Sequence, residues 1–122
     1  MNFASVSAGL LGLAVALGAF GAHALKGRLD AYQMGIWEKA VFYHFVHALG
    51  MLILSLASRT GMIPDPARVL WLLLAGILLF SGSLYALALS GVTILGAVTP
   101  FGGVCMILAW ALLAFSLAQS GR

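Results

Sequence analysis

Apolar positions fall in four long charge-free runs, Phe3 to Ala22, Ala40 to Ser58, Val69 to Ser90 and Ile94 to Gln119. Each reaches or exceeds the ~17 to 25 residues that cross about 30 Å of hydrocarbon at 1.5 Å per residue. None alternates with a period of two, which excludes barrel strands and leaves helices as the way to satisfy the backbone in lipid. The pattern predicts an all-α integral membrane four-helix bundle. It forms a single transmembrane domain over residues 1–122, with spans at about 3–22, 40–58, 69–90 and 99–119.

Placed at about 100° per residue, the first run has two sides. Ser5, Gly9, Gly12, Ala16, Ala19 and His23 form a small-residue stripe, while Val6, Leu10, Leu13, Leu17 and Phe20 form a bulky one. Membrane helices pack where small residues let backbones approach, so the small stripe is expected to face protein and the bulky one lipid. Ala22-His23-Ala24 imitates a signal-peptide cleavage site. No Lys or Arg precedes Lys26, however, and the apolar run exceeds the ~7 to 15 residues of a signal-peptide core, so a retained span is expected.

The connector from Ala24 to Lys39 interleaves Lys26, Arg28, Asp30, Glu38 and Lys39 with Leu29, Tyr32, Ile36 and Trp37. This spacing predicts a short interfacial amphipathic helix between the first two spans. If the helix instead runs straight into the second span, Gln33, Trp37, Ala40, His44, His47 and Met51 share one face, with Glu38 turned away from His44. TGMIPDPAR, with its Gly, two Pro and Asp, predicts a tight turn before the third span. In the third span Gly82, with Ala75 and Ala86, offers close packing, and Ser81, Ser83 and Tyr85 offer hydroxyls for interhelical bonds. TPFGG predicts a helix start with Thr99 as N-cap and Pro100 in the first turn, leaving Ile94 to Val98 outside the helix proper. Gly102 and Gly103 add further packing positions.

Charge adds little. At 7% charged residues the chain lies far below the quarter usual in soluble domains. Its net charge of +3 is scattered, which points to lipid headgroups as partners and away from nucleic acid. Cys105 stands alone in an apolar run, so no intrachain disulfide and no thiolate cluster is expected. Basic residues divide equally between the two sides, and the terminal amine inclines the assignment to cytoplasmic termini.

Ionisable side chains within a span mark a functional site by default, and the candidates are His23, His44 and His47. One reading is a hydrogen-bonded clamp between helices. A second is a proton-coupled transporter in which His44 and His47 replace the intramembrane carboxylate that such carriers use. A third is a metal site, for which His44 and His47 share a helix face but no carboxylate or thiolate converges. Haem would need a roomier pocket than a small-residue seam leaves. The serines have no convergent acid-base partner, so no catalytic residue, metal or cofactor is expected, and the chain reads as a non-enzyme.

GAFGAHAL, YHFVHAL, LFSGSLY and TPFGG, in that order, resemble the family known as domain of unknown function 423, which includes the transmembrane protein 256-like proteins. The resemblance spans essentially the whole chain. It implies a multi-pass four-helix protein of the bacterial inner membrane, without supplying an activity. The up-down topology expected from four spans would bring His23, His44, His47, Ser81 or Ser83, Tyr85 and Thr99 together as one polar cluster at one membrane face, beneath the Ala24 to Lys39 segment. The resulting expectation is a structural or amphiphile-binding module among membrane lipids, with small seams also suited to a homo-oligomer.

Overall fold

The computed structural model describes residues 1–121 and is built from four helices long and apolar enough to cross a membrane: α1 (Phe3–Leu25), α2 (Ala31–Arg59), α3 (Ala67–Ser90) and α4 (Thr93–Ser120). Several boundaries have a local cause. The Asn2 side chain accepts from the Ser5 N–H at 3.2 Å at the start of α1. Asp30 and Gln33 form a reciprocal capping box at the start of α2, with bonds of 2.7 and 3.0 Å. Asp65 accepts from the Ala67 N–H at 3.0 Å ahead of α3. Gly91 ends α3 in the left-handed region, at φ 71°, where a side chain would be strained.

The connector takes the continuous course. Instead of a separate interfacial helix, residues 31–39 are the opening turns of a 29-residue α2, because the Asp30 capping box starts the helix there and nothing after it breaks the pattern. Its buried residues are Trp37, Ala40, His44, His47, Ala48, Met51, Leu54 and Ser55, a single stripe along the helix. Helix α4 opens with a 3-10 turn, Thr93–Ala97, before its α-helical part, Thr99–Ser120. Thr99 is therefore the first helical residue rather than the N-cap, which is Val98, and Pro100 lies in the first turn.

The core lies among three helices: Ala48, Met51 and Leu54 of α2, Val69, Leu70, Leu73 and Ile77 of α3, and Met106 and Ala109 of α4. Helix α1 packs mainly on α2, and α4 mainly on α3. Glycine sets the α3–α4 distance. A methyl group on Gly102 would come within 2.8 Å of Phe80 Cα, and one on Gly76 within 3.2 Å of the Gly102 carbonyl. Gly103 lies beside the Phe80 ring.

Helix α1 is rotated from the expected orientation. Ser7 and Ala14 are its buried residues, flanked by the half-buried Phe3, Leu10, Leu11, Leu17, Gly18 and Gly21. Ser5, Gly9, Gly12, Ala16, Ala19 and His23 are exposed, and a methyl group on Gly9 or Gly12 would meet nothing within 4 Å. Smallness alone selected the wrong side, because Phe3, Leu10 and Leu11 are the side chains that reach the apolar core. Gly82 of α3 is likewise exposed with open space above it, since Ser81, Ser83 and Leu84 turn inward.

Two stretches of wide π-helical winding, Ala16–Gly21 in α1 and Ile77–Ser81 in α3, interrupt the α-helical spans. Such insertions are rare and concentrate at functional sites. Both face the same length of α2. A methyl group on Gly18 would lie 3.0 Å from Val41 and one on Gly21 would lie 2.9 Å from the Trp37 ring, while Ser81 bonds to the Ala40 carbonyl.

Candidate polar site within the bundle

The buried stripe of α2 carries a series of polar groups, and most of them bond to a neighbouring helix. Starting at the headgroup end, Gln33 Nε2 donates to the Ala88 carbonyl of α3 at 3.3 Å. Trp37 Nε1–H donates to the Leu17 carbonyl of α1 at 2.9 Å, and its ring packs on that of Tyr85 with centroids 4.8 Å apart. Ser81 donates from α3 to the Ala40 carbonyl at 2.7 Å. His44 Nδ1 and Tyr85 Oη are 2.9 Å apart and share one hydrogen bond across the α2–α3 seam. Helix α1 is thus tied to α2 by an indole, and α3 to α2 by an amide, a serine and a histidine–tyrosine pair.

Two further pairs continue the pattern. Ser83 and Thr99 hydroxyls meet at 2.6 Å across α3 and α4. His47 turns back on its own helix, donating from Nδ1 to the Tyr43 carbonyl at 2.8 Å, with its ring stacked on Tyr43 and beside Trp110 of α4. Because a carbonyl only accepts, Nδ1 carries the proton in that bond.

Glu38 and Lys39 are exposed on α2 and mark its headgroup level. His44 and His47 lie about 8 and 12 Å further in at 1.5 Å per residue, within the outer half of a ~30 Å layer. Of the sequence candidates, the fold brings His44, Tyr85 and Ser81 onto one seam with Trp37, and it sets Ser83 with Thr99 on the next. His23 is exposed near the end of α1, beyond the Gly21–Trp37 contact, and makes no hydrogen bond to this group among the described residues. Trp37, at 4% exposed, is central to the seam although its residue type and position suggest a headgroup anchor. The signal that finds it is its place in the 33, 37, 40, 44, 47 series once α2 is taken as continuous.

One buried atom stands apart. Among the described residues His44 Nε2 has no hydrogen-bond partner, although the residue is 2% exposed. Among the described residues no group of three His, Cys, Asp or Glu side chains is close enough to hold a metal ion. Cys105 is half-buried and free.

At the same end of the bundle a groove of about 320 Å³ opens between the first turns of α2 and the α3–α4 turn. Asp30, Tyr32, Gln33, Ile36, Leu87 and Thr93 line it. At the opposite end Arg59 donates to Asn2 Oδ1 at 3.0 Å, joining the end of α2 to the start of α1 beside a smaller groove of about 220 Å³.

Known proteins share this chain's sequence over most of its length. A UPF0382 membrane protein of Staphylococcus epidermidis is 52% identical over 101 residues, covering 83% of this chain and 82% of the relative. The UPF0382 membrane protein YwdK of Bacillus subtilis is 48% identical over 99 residues, or 80% of each chain. No solved structure matches it. The family described as "Protein of unknown function (DUF423)" matches residues 17–103, which include Trp37, His44, Ser81, Tyr85 and Thr99. By this match and by its relatives, the chain belongs to the DUF423 family of membrane proteins.

Proposed function

We propose that this protein is a non-enzymatic module of the bacterial inner membrane, with cytoplasmic termini, whose bundle is held by polar bonds along α2 and which binds lipid in the groove beside them. The observation that carries this reading is the closure of the polar seam. Gln33, Trp37, Ser81 and Tyr85 each bond to a group on a neighbouring helix, so they act as joints rather than as the lining of a reaction chamber. Interhelical polar bonds in membranes contribute on average about 0.6 kcal/mol each, a scale suited to orienting helices. The open volume at this end is the groove, lined by the apolar Ile36 and Leu87 and by Asp30, Tyr32 and Thr93.

The test is lipid retention. Protein extracted in mild detergent should carry a stoichiometric phospholipid by mass spectrometry, and Leu87→Trp, which fills the groove, should lose it while remaining helical. Equal lipid content in the two would refute the groove as the binding site.

The unpartnered Nε2 of His44 favours a second reading, a proton-coupled carrier, because a buried imidazole with one free nitrogen is available to accept or release a proton. It predicts pH-dependent flux in proteoliposomes that His44→Ala abolishes. The lipid-binding module predicts lipid retention that survives the same substitution.

A further inference from the structure

We infer that a recess between α2 and α4 binds an isoprenoid quinol, one ring hydroxyl donating to His47 Nε2. His47 is 6% exposed, and its Nδ1–H is engaged by the Tyr43 carbonyl. In the neutral ring Nε2 is then an acceptor. No Asp or Glu lies deeper in any span than Glu38, so no carboxylate is placed to hold the ring charged. Among the described residues one unpartnered side-chain nitrogen or oxygen is fully enclosed, and it belongs to His44. His47 Nε2 makes no hydrogen bond there either, so it opens outward from a side chain that is otherwise buried.

Aromatic rings converge on this histidine. The imidazole lies nearly parallel to the Tyr43 ring, 7° between their planes with centroids 5.9 Å apart, and beside Trp110 of α4 with centroids 5.8 Å apart. Phe80 of α3 packs on Tyr43 at 4.4 Å between centroids. Because α4 packs mainly on α3, Trp110 is the side chain that reaches across to α2, where a methyl group on Gly50 would lie 2.8 Å from its Cη2. Tyr43 and Trp110 remain 36% and 37% exposed. The recess thus offers an acceptor nitrogen flanked by two partly open aromatic rings. It shares no residue with the lipid groove at the start of α2, so the two stand or fall separately.

Depth selects the ligand. His47 lies about 12 Å inside the level of Lys39 at 1.5 Å per residue, below the phospholipid headgroups, and acyl chains carry no N–H or O–H to give it. Fatty alcohols and sterols keep their hydroxyls among the headgroups. A quinol with a prenyl tail is apolar enough to lie among the chains, brings an O–H to that depth, and presents a planar ring to Tyr43 and Trp110. Its oxidised form has carbonyl oxygens, which cannot donate to an acceptor nitrogen, so the recess should distinguish the two. A second copy of the chain suits the recess less well. Phe42 and Val46 of α2 and Ile107 of α4 protrude beside it, where paired membrane helices present small residues.

The experiment uses the full chain, labelled with nitrogen-15 at histidine, in phospholipid nanodiscs. A benzoquinol and a naphthoquinol with short prenyl tails are titrated in under reducing conditions, and the matching quinones under oxidising ones. At least one quinol should move the His47 Nε2 resonance saturably and bind about ten-fold tighter than its quinone, the scale of one buried hydrogen bond. His47→Phe, which keeps a ring but no nitrogen, should lose that preference at unchanged helicity. Equal binding of the two redox forms by wild type would overturn the inference, as would the absence of saturable binding by every probe. A preference that survives in His47→Phe would overturn it too. A shift of His47 Nε2 that appears without quinol, on raising the ratio of protein to lipid, would assign the donor to a second copy and overturn it. The wild-type comparison needs no substitution and so decides the matter even where His47→Phe fails to fold.

Discussion

Gly21→Ala tests the packing of α1 on α2 most sharply. The added methyl group would lie 2.9 Å from Trp37 Cζ2, well inside ordinary contact distance. The indole has little room to yield, because Nε1 is held 2.9 Å from the Leu17 carbonyl and the ring packs on Tyr85. Overpacking of this kind costs about 1 to 3 kcal/mol. Replacing glycine by alanine in a helix returns about 0.8 to 1 kcal/mol, so the net loss should be about 1 kcal/mol. In a Trp37→Phe background the smaller ring vacates the Cζ2 position, and Gly21→Ala should then be neutral or stabilising. The two substitutions should therefore be coupled by roughly 1 to 3 kcal/mol. The assay is reversible unfolding in mixed micelles titrated with dodecyl sulfate and followed by helical ellipticity. Equal effects of Gly21→Ala in both backgrounds, within the ~0.3 kcal/mol expected of independent sites, would show that the methyl group and the indole do not compete for space.

Other substitutions probe the remaining seams. In the same unfolding assay a double-mutant cycle of His44→Ala and Tyr85→Phe should give a coupling of about 0.6 to 1.7 kcal/mol, the range of interhelical bonds in membranes. Gly102→Ala should destabilise by about 1 to 3 kcal/mol or prevent folding, because its methyl group meets the Phe80 backbone and not a flexible side-chain end. Gly9→Ala and Gly12→Ala, whose methyl groups meet open space, should be neutral or stabilise by up to ~1 kcal/mol each. Ser81→Ala should cost about 0.6 to 1.7 kcal/mol by leaving α3 without its bond to the Ala40 carbonyl.

The spans were legible in the sequence because length and charge exclusion are properties of single segments. Four apolar runs between charged connectors admit few other structures. The shared face of Gln33, Trp37, Ala40, His44, His47 and Met51 was legible for a similar reason, since helical periodicity needs no knowledge of neighbours. Which face of α1 packs was not, because that depends on where Phe3, Leu10 and Leu11 find apolar partners on other helices. A small-residue stripe permits close approach without requiring it, and Gly9 and Gly12 face outward. The π-helical windings were hidden too. Ala16–Gly21 and Ile77–Ser81 carry no local signal, and what distinguishes them is packing against residues distant in the chain: Gly18 on Val41 and Gly21 on Trp37, and Ser81 on Ala40. Exposure of His23 follows from the continuation of α1 through Leu25, past the level where Gly21 meets Trp37.

The buried polar face of α2 joins helices, with His44 bonded across the seam to Tyr85. Nitrogen-15 spectra of histidine-labelled protein in lipid bilayers, recorded for wild type and Tyr85→Phe, report on that bond. The Nδ1 resonance of His44 should move when the Tyr85 hydroxyl is removed, while that of His47, bonded to the Tyr43 carbonyl, should stay in place. Unchanged spectra for both histidines would rule out the bond across the seam.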